Sequence, residues 1–531
     1  MRPSYLKNAA LLTVSDVLLR LAGMGLRIYL ANALGGKGMG LYQLVLAVYG
    51  LFVTLATAGV SVAATRLLAE ELERGPAYAR GMLGRLAGLA AGLGLIASAA
   101  QLGLAGLAAQ YWLGDLRAAP ALRAAALGMP FMAVSAVLRG FFVARRRVQP
   151  NVASQMIEQL VRISTMVLAL ERTAGLDVGA RCAVVMGATA ASEAVSALVM
   201  GIFYRREAAR CFGGLPPARP QAPARRIWEI LWPVGGGRCL ASALHTAENM
   251  LVPACLAVFL WDAGGRSAAV TQYGNLKGMA LPLMNFPFGL LGSLGVLLMP
   301  EITQTHIRGD KRRMEQLLGR MLQITMYFSL WIGAIFLVWG QPLTQALYGS
   351  SEAGFYLEVL APAMPLLYLE SMVDGAMKGI GEQKATFRYS VWDSILRIAG
   401  VALLIPRFGM KGLLFVILMS SLYTCVANTR RLLAVTRLRT HPTRWLGRPL
   451  LAAGASALAG LGLRRGLGGL LAGSRGLQLL VLAAGAGGMS VVCLAVAWPL
   501  GLGRELRDLR PRERKFHPPA EKSGQPAQNR V

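Results

Sequence analysis

Two apolar segments of the sequence carry polar and ionisable side chains that recur at helical spacing. In the first, Asp16, Arg20 and Arg27 fall on one face of a predicted helix, together with Thr13. An ionisable side chain at the centre of a membrane helix costs about 2.5–3.5 kcal/mol, so such residues usually mark a functional site. The second segment carries the matching stripe, which consists of Arg238, Ser242, His245 and Asn249, with Glu248 at its edge.

The chemistry that this pattern favours is the binding of an anion. Asp16 and Arg20 can form an ion pair one helical turn apart, which leaves Arg27 unpaired. Guanidinium groups bind phosphates through two parallel hydrogen bonds, and more strongly where water is excluded. If the two polar faces are turned toward each other, they line a water-filled, cationic cavity. The alternatives are snorkelling of Arg27 and Arg238 to the membrane interface, and a packing role for His245.

A second pair of polar stripes lies on two other predicted helices. Glu158 and Arg162 on one helix, and Asp393 and Arg397 on the other, are each one helical turn apart. We expect the acid and the arginine of each pair to neutralise each other within one helix. Such a pair serves either ion coupling or structure alone, and the sequence leaves both roles open.

The composition is that of a membrane protein. Of 531 residues, 55% are hydrophobic and only 15% are charged, which is too few for the surface of a soluble protein of this length. The formal net charge of +29 does not indicate nucleic-acid binding, because the arginines are concentrated in short gaps between apolar runs. The six cysteines have no metal-ligand spacing, so we expect inert thiols and no metal site.

Apolar runs long enough to cross a bilayer, about 20 residues each, recur along the whole chain. We predict an all-α polytopic membrane protein with about 14 transmembrane helices. The predicted spans are 9–30, 41–64, 82–107, 119–138, 153–171, 182–204, 229–258, 272–299, 317–341, 355–377, 386–405, 411–429, 449–463 and 476–502. Pro233 and the glycines at 235–237 predict a kink or unwinding early in the seventh span. Residues 205–227 are predicted to be a basic linker, and 504–531 a disordered basic tail.

The distribution of arginine and lysine between the loops predicts the orientation in the membrane. With the N-terminus inside, the cytoplasmic side collects the basic clusters at 145–147, 205–226, 308–313 and 430–439. The opposite side keeps only scattered positive charges, which agrees with the positive-inside rule. An even number of spans returns the C-terminus to the same side. We therefore expect a bacterial cytoplasmic membrane protein with both termini, the linker and the tail in the cytoplasm.

The sequence also repeats itself. A basic residue, a glycine and an apolar residue follow the fourth and the tenth predicted span, at 139–141 and 378–380. A motif of an acid, three residues, arginine and isoleucine then begins at Glu158 and again at Asp393. Repeats of this kind are typical of secondary transporters, whose substrate site lies between the repeated units. The spacing predicts two six-helix lobes around a central cavity and an extra helix pair, at residues 1–204, 228–431 and 432–503.

No constellation of catalytic residues occurs in the sequence. It contains no HExxH, GxSxG or Walker motif, and no Asp-x-Asp pair for a metal-dependent glycosyl transferase. We therefore expect a protein that is not an enzyme and that needs no cofactor. Because the sequence has no nucleotide-binding motif, an ion gradient or the membrane potential would have to drive any transport.

Several short motifs make the chain similar to a known family. They lie at residues 7–9, 38–43, 58–63, 70–71, 157–162, 379–383 and 405–412. In content and order these motifs resemble the stage V sporulation protein B group. That group belongs to the multidrug/oligosaccharidyl-lipid/polysaccharide exporter superfamily. The motifs span most of the chain, so the resemblance applies to both predicted lobes.

The resemblance implies a V-shaped cavity between two six-helix lobes, alternating access, and export of undecaprenyl-pyrophosphate-linked glycans. It implies that cavity arginines bind the pyrophosphate, for which Arg20, Arg27 and Arg238 are the candidates, with Lys277 as a further one. It also implies that the last two helices form a groove for the lipid tail. The expected partners are a lipid-linked oligosaccharide, membrane lipids and cell-wall synthesis proteins, but no nucleic acid.

Two alternative functions stay open at this point. A cation-coupled multidrug antiporter of the same superfamily would need unpaired acids in its cavity to attract cations. A non-transporting membrane scaffold for envelope or spore assembly would tolerate the loss of Arg20 and Arg27. The excess of arginines over unpaired acids on the polar faces favours a lipid-linked glycan flippase over both.

Overall fold

The computed structural model describes residues 3–57, 59–173, 175–220, 222–438 and 441–503. Within these residues the chain is helical almost throughout, and no strand occurs. The helices are α1 (Pro3–Thr57), α2 (Val60–Arg74), α3 (Pro76–Leu107), α4 (Ala119–Ala126), α5 (Met129–Ala144), α6 (Gln149–Arg172), α7 (Val178–Phe212), α8 (Ala224–Phe259), α9 (Gly265–Tyr273), α10 (Leu281–Asn285), α11 (Phe288–Arg308), α12 (Lys311–Tyr348), α13 (Ser351–Leu360), α14 (Met364–Gly379), α15 (Gln383–Thr436), α16 (Arg448–Leu467) and α17 (Arg475–Ala497). The predicted tail at 504–531 lies outside the described residues.

In the described part of the chain, 8 helical segments are long and apolar enough to cross a membrane. Two of them, Val14–Arg74 and Gln383–Thr436, have 61 and 54 residues, which is enough for more than one crossing each, since one crossing takes about 20 residues. Every predicted span lies mostly in helix. The prediction of an all-α polytopic membrane protein is therefore confirmed, while the number of fourteen crossings stays a prediction.

Single glycines divide the two longest helices. Gly35 in α1 has a φ of 66° and Gly409 in α15 has a φ of 58°, a conformation that residues with a Cβ atom rarely adopt. Each helix therefore consists of two consecutive helical pieces. The first two predicted spans lie largely in α1, and the eleventh and twelfth lie in α15. The second ends earlier than predicted, because α1 stops at Thr57 and α2 begins after Gly59, whose φ is 79°.

The connection between the two halves of the chain is short and anchored, since α7 ends at Phe212 and α8 begins at Ala224. The Ala222 N–H donates to a carboxylate oxygen of Glu71 at 2.9 Å, which holds the connection against α2. The α8 helix continues without a break through Pro233, so the unwinding that we predicted as one alternative there is wrong, while a kink stays a prediction. Membrane helices tolerate proline because its φ is close to the helical value and neighbouring groups satisfy the freed carbonyl oxygen.

Buried apolar side chains form a large core that both halves share, and smaller cores that lie mostly or wholly within one half. The shared core contains Leu44 and Phe52 from the N-terminal half (α1–α7), and Tyr273 and Tyr368 from the C-terminal half (α8–α15). A second core belongs to the N-terminal half with the first turns of α8, and a third belongs to the C-terminal half. The halves thus pack together in the shared core and at the first turns of α8, and each packs separately elsewhere.

At one place the two halves touch through their backbones. Gly36 and Gly40 of α1 face Gly274, the first residue of a π-helical turn (Gly274–Ala280) that follows α9. A Cβ atom on Gly40 would overlap the carbonyl oxygen of Val270, and one on Gly274 would overlap that of Gly36. Glycine is therefore required on both sides of this contact, as in other close contacts between membrane helices.

The last two helices, α16 and α17, pack beside α12. Trp339 of α12 is only 1% exposed and lies in the same buried cluster as Val481 and Met489 of α17. Ala453 of α16 completes this cluster. The two helices therefore form an extra pair that is attached to the C-terminal half.

Candidate functional site

Two adjoining cavities lie between the halves, and we call the first the cationic cavity. Its volume is about 410 Å³. Arg20 and Arg27 line it from α1, and Lys277 lines it from the π-helical turn. The other lining residues are Gly23, Met24, Leu281, Pro282, Asn285 and Phe286. The cationic side chains thus come from both halves and from residues that are far apart in the sequence.

We call the second the polar cavity; its volume is about 480 Å³. Gln43 lines it from α1, and Ser242, His245 and Asn249 line it from α8. Its other lining residues are Leu46, Ala47, Gly50, Thr54, Ala241, Thr246, Tyr273 and Lys277. Because Lys277 lines both cavities, they meet at its side chain. No aspartate or glutamate occurs among the described residues that line either cavity.

The three cations of the cationic cavity differ in their partners. Arg20 Nε lies 2.8 Å from Asp16 Oδ2, and these side chains are 46% and 51% exposed. The pair is therefore open to water, and Arg20 keeps further N–H groups with which to bind an anion. Arg27 and Lys277 have no ion-pair partner within the described ranges. The cavity thus has an excess of positive charge.

Hydrogen bonds fix the wall that α8 contributes to the polar cavity. Asn249 Nδ2 lies 2.6 Å from His245 Nδ1, and the Tyr273 hydroxyl donates to Asn249 Oδ1 at 3.1 Å. Because the amide NH₂ group is a donor, His245 Nδ1 accepts, and the neutral ring carries its proton on Nε2. The Thr246 hydroxyl donates to the Ala47 carbonyl oxygen at 3.1 Å, which joins α8 to α1 beside the cavity.

Three predicted site residues lie differently from what the sequence suggested. Arg238 is exposed on α8 and lines neither cavity. Asp16 is not a lining residue either, and reaches the cationic cavity only through Arg20. Lys277, near the start of the eighth predicted span, lies in the π-helical turn that follows α9 and not in a regular α-helix.

A network of two acids and two arginines lies inside the N-terminal half. Arg162 Nη2 lies 2.5 Å from a carboxylate oxygen of Glu158 and 3.1 Å from one of Glu193. Arg139 Nη2 lies 2.8 Å from the other carboxylate oxygen of Glu158, and it also donates to the Ser196 hydroxyl at 3.0 Å. The pair within α6 is therefore present, but it is part of a larger charge-balanced network that spans α5, α6 and α7.

In the C-terminal half the predicted pairing is wrong. Arg397 Nη2 binds the carboxylate of Glu248 on α8, and not that of Asp393 on its own helix. Asp393 instead accepts a hydrogen bond from the Ser420 hydroxyl at 2.6 Å. Both carboxylates are buried, at 4% and 9% exposed, but the Ser420 hydroxyl already satisfies Asp393. Arg397 reaches Glu248 where α15 packs against α8, and it supplies the counter-ion that this buried carboxylate needs.

Three residues of these networks and cavities were not predicted from the sequence to belong to a site. Glu193 is the one charged residue of the sixth predicted span, and the cost of a charge inside a membrane would have identified it. Arg139 and Gln43 belong to the short motifs at 139–141 and 38–43, which assign them no role in a cavity or an ion pair. Gln43 is uncharged, and nothing in its spacing shows that it faces a cavity whose opposite wall is α8, some 200 residues later in the chain.

The model of the polysaccharide biosynthesis protein family matches residues 5–260. Stage V sporulation protein B of Bacillus subtilis (strain 168) is 26% identical over 422 residues, which are 77% of this chain and 80% of that protein. Lipid II flippase MurJ of the same organism is 21% identical over 408 residues, 72% of this chain and 74% of that protein.

The fold agrees with these sequence matches. A solved structure of lipid II flippase MurJ in an inward closed conformation matches with a TM-score of 0.66 at 12% identity, over 93% of this chain and 99% of that one. The chain is thus a multi-pass membrane protein with the fold of this transporter. The family model, the curated relatives and the fold together confirm the resemblance to the multidrug/oligosaccharidyl-lipid/polysaccharide exporter superfamily that the sequence motifs predicted.

Proposed function

We propose that the protein moves an undecaprenyl-pyrophosphate-linked peptidoglycan or polysaccharide precursor from the inner to the outer leaflet of the bacterial cytoplasmic membrane. The main support for this proposal is the cationic cavity between the halves. Arg20, Arg27 and Lys277 converge there, and none of the described residues that line the cavity has a carboxylate to attract a cation instead. The curated relatives support an envelope substrate, since one is a sporulation protein and another a lipid II flippase.

The proposed mechanism follows from where the charges lie. The pyrophosphate enters between the halves and binds the guanidinium groups of Arg20 and Arg27 through paired hydrogen bonds. The polyprenyl tail stays in the lipid, because transfer of its methylene groups into a polar cavity would be unfavourable. The halves then separate on the opposite side and release the glycan. The superfamily consists of transporters, and we propose no enzymatic step.

The orientation and the energy source are part of the proposal. With both termini in the cytoplasm, the basic clusters at 145–147 and 308–313 face the cytoplasm, in agreement with the positive-inside rule. The substrate would then be received from the cytoplasmic leaflet, where lipid-linked precursors are made. An ion gradient or the membrane potential drives the cycle, and cell-wall synthesis proteins supply the precursor or receive it.

A cation-coupled drug antiporter is the main rival. Such a protein needs carboxylates that face the cavity, whereas the described acids nearest to it are neutralised: Asp16 by Arg20, and Glu248 by Arg397. Efflux of cationic dyes from cells that express the protein would separate the two functions. We expect no efflux above that of a vector control.

The direct test is complementation in a bacterium depleted of its own lipid II flippase. Wild type should restore growth, while Arg20→Ala and Arg27→Ala should not, although both variants are inserted at normal abundance in the membrane. An abundant and fully active Arg20→Ala variant would remove Arg20 from the transport path. Failure of an abundant wild type would contradict a peptidoglycan precursor as the substrate and leave a different lipid-linked glycan, a drug substrate or no transport.

A further inference from the structure

The two cavities that meet at Lys277 differ in chemistry. The cationic cavity presents two guanidinium groups, those of Arg20 and Arg27. The polar cavity presents amide, hydroxyl and imidazole groups, among them those of Gln43 and Ser242. A ligand that fills both must therefore carry an anionic group next to an uncharged group with many hydrogen-bonding atoms.

Gln43 shows that the polar cavity offers hydrogen bonds that the protein does not use itself. Its side-chain Nε2 is buried and has no hydrogen-bond partner in the part of the chain that the structure describes. A buried donor without a partner is unfavourable by about 1–3 kcal/mol, so an acceptor from a ligand would recover that free energy. The Ser242 hydroxyl likewise makes no hydrogen bond to a described residue.

Other lining groups of the polar cavity are already oriented. Asn249 is held between His245 and Tyr273, so its amide cannot turn freely. Such a preorganised wall with a few available donors is the usual construction of a small-molecule site. The volume of about 480 Å³ also falls in the range of roughly 300–1,000 Å³ that such sites have.

We infer that the polar cavity binds the first sugar of the glycan, an uncharged sugar that bears hydroxyl or acylamino groups, while its phosphate lies at Lys277. The inference rests on the proposed function and makes it more specific. In a lipid-linked precursor the pyrophosphate is bonded directly to the first sugar, and the two cavities adjoin in the same way. Gln43 donates to a carbonyl or hydroxyl oxygen of that sugar, and Ser242 binds a second polar atom. Because Gln43 and Ser242 are uncharged, the sugar is selected by its shape and its hydrogen bonds.

The test compares two probes on the purified full chain in lipid nanodiscs. One is a short-chain polyprenyl pyrophosphate, and the other is the same compound with one N-acetylhexosamine on the pyrophosphate. Wild type should bind the sugar-bearing probe about tenfold more tightly, the effect of one or two good hydrogen bonds. Gln43→Leu should bind the bare probe as wild type does and lose most of the tenfold difference. Ser242→Ala, a smaller change in the same cavity, should lose part of it.

Gln345→Leu is the matched control, because Gln345 is exposed on α12 and lines neither cavity. It should keep the full difference between the probes. Equal affinity of wild type for both probes would overturn the inference and leave the proposed function standing. A Gln43→Leu variant that keeps the difference, or weakens both probes alike, would overturn it as well. No binding of either probe by wild type would contradict the proposed function itself.

Discussion

Arg397 of α15 pairs with Glu248 of α8, although Asp393 lies one helical turn before it on its own helix. Glu248 stands next to Asn249, whose side chain lines the polar cavity. The ion pair therefore joins α15 to the part of α8 that lines the polar cavity. Because both partners belong to the same half, the pair can remain intact while the halves move relative to each other.

The Arg397→Gln variant should be strongly destabilised. Glu248 would be left as a buried carboxylate without a counter-ion, which typically lowers the free energy of unfolding by about 3–5 kcal/mol. A thermal denaturation curve of the purified protein should show an earlier transition, and the yield from membranes should fall. The double variant Glu248→Gln with Arg397→Gln should recover much of this loss, because no unpaired charge remains.

Arg225→Gln is the matched control for that experiment. Arg225 and Glu229 also form an ion pair, but their side chains are 88% and 58% exposed. An exposed pair contributes at most about 1 kcal/mol, so the denaturation curve should hardly change. Equal losses for Arg225→Gln and Arg397→Gln would show that burial does not decide the contribution of these pairs.

Glu158 should contribute more to the stability of the protein than Glu193, the other acid of the N-terminal network. Glu158 pairs with both Arg139 and Arg162, so Glu158→Gln leaves two guanidinium groups short of a counter-ion. Glu193→Gln leaves Arg162 paired with Glu158, so the free energy of unfolding should fall by less, roughly 1–3 kcal/mol. Protein abundance and thermal stability should therefore fall more for Glu158→Gln. A Glu158→Gln variant of normal stability that has lost transport would instead make this network part of the transport cycle.

Lys277 should contribute to anion binding, and Arg238 should not. Lys277 lines both cavities, whereas Arg238 is exposed and lines neither. Lys277→Gln should weaken the binding of polyprenyl pyrophosphate about tenfold, which is the effect of one charge-assisted hydrogen bond. Arg238→Gln should bind as wild type in the same titration. The reverse order would place the anion beside Arg238 of α8.

The glycine contact should control closure between the halves. A methyl group at Gly274 would overlap the Gly36 carbonyl oxygen, so Gly274→Ala should hold the halves apart there. The reporter is a cross-link by a short bifunctional maleimide between cysteines at positions 32 and 347 in a cysteine-free background, since Asn32 Nδ2 lies 2.7 Å from the Leu347 carbonyl oxygen. The cross-linked fraction should fall severalfold in Gly274→Ala.

Gly187→Ala serves as the control for the glycine contact, because a Cβ atom at Gly187 would meet nothing within 4 Å. The cross-linked fraction should then equal that of the parent protein. If Gly274→Ala also leaves the fraction unchanged, the contact between these backbones is not required for closure.

Sequence reasoning predicted the helices well because their main signal is local. Apolar runs and the cost of a charge in lipid depend on neighbouring residues only, and they identified both polar faces and their orientation toward cavities between the halves. The Asp16–Arg20 pair was predictable for the same reason, since residues four apart are neighbours on any helix.

The parts that could not be predicted depend on contacts between distant segments. The partner of Arg397 is set by how α15 crosses α8, which no periodicity reveals. The exposure of Arg238 depends on how far α8 turns away from the cavities, although its spacing places it on the same stripe as His245. The unbroken helix at Pro233 likewise depends on the surrounding packing, which local preferences do not include.

The balance of charge in the cationic cavity has a consequence for energetics. Three cations line the cavity, namely Arg20, Arg27 and Lys277. Asp16 neutralises one of them through its ion pair with Arg20, so two positive charges remain in excess. A pyrophosphate diester carries one negative charge on each phosphate and would cancel that excess. The loaded protein would then cross the electric field almost without electrical work, whereas each uncompensated charge of the empty protein is worth about 2.3 kcal/mol per 100 mV. In a cell whose interior is negative, the field would pull the empty cavity back toward the cytoplasm and so reset the carrier for its next load.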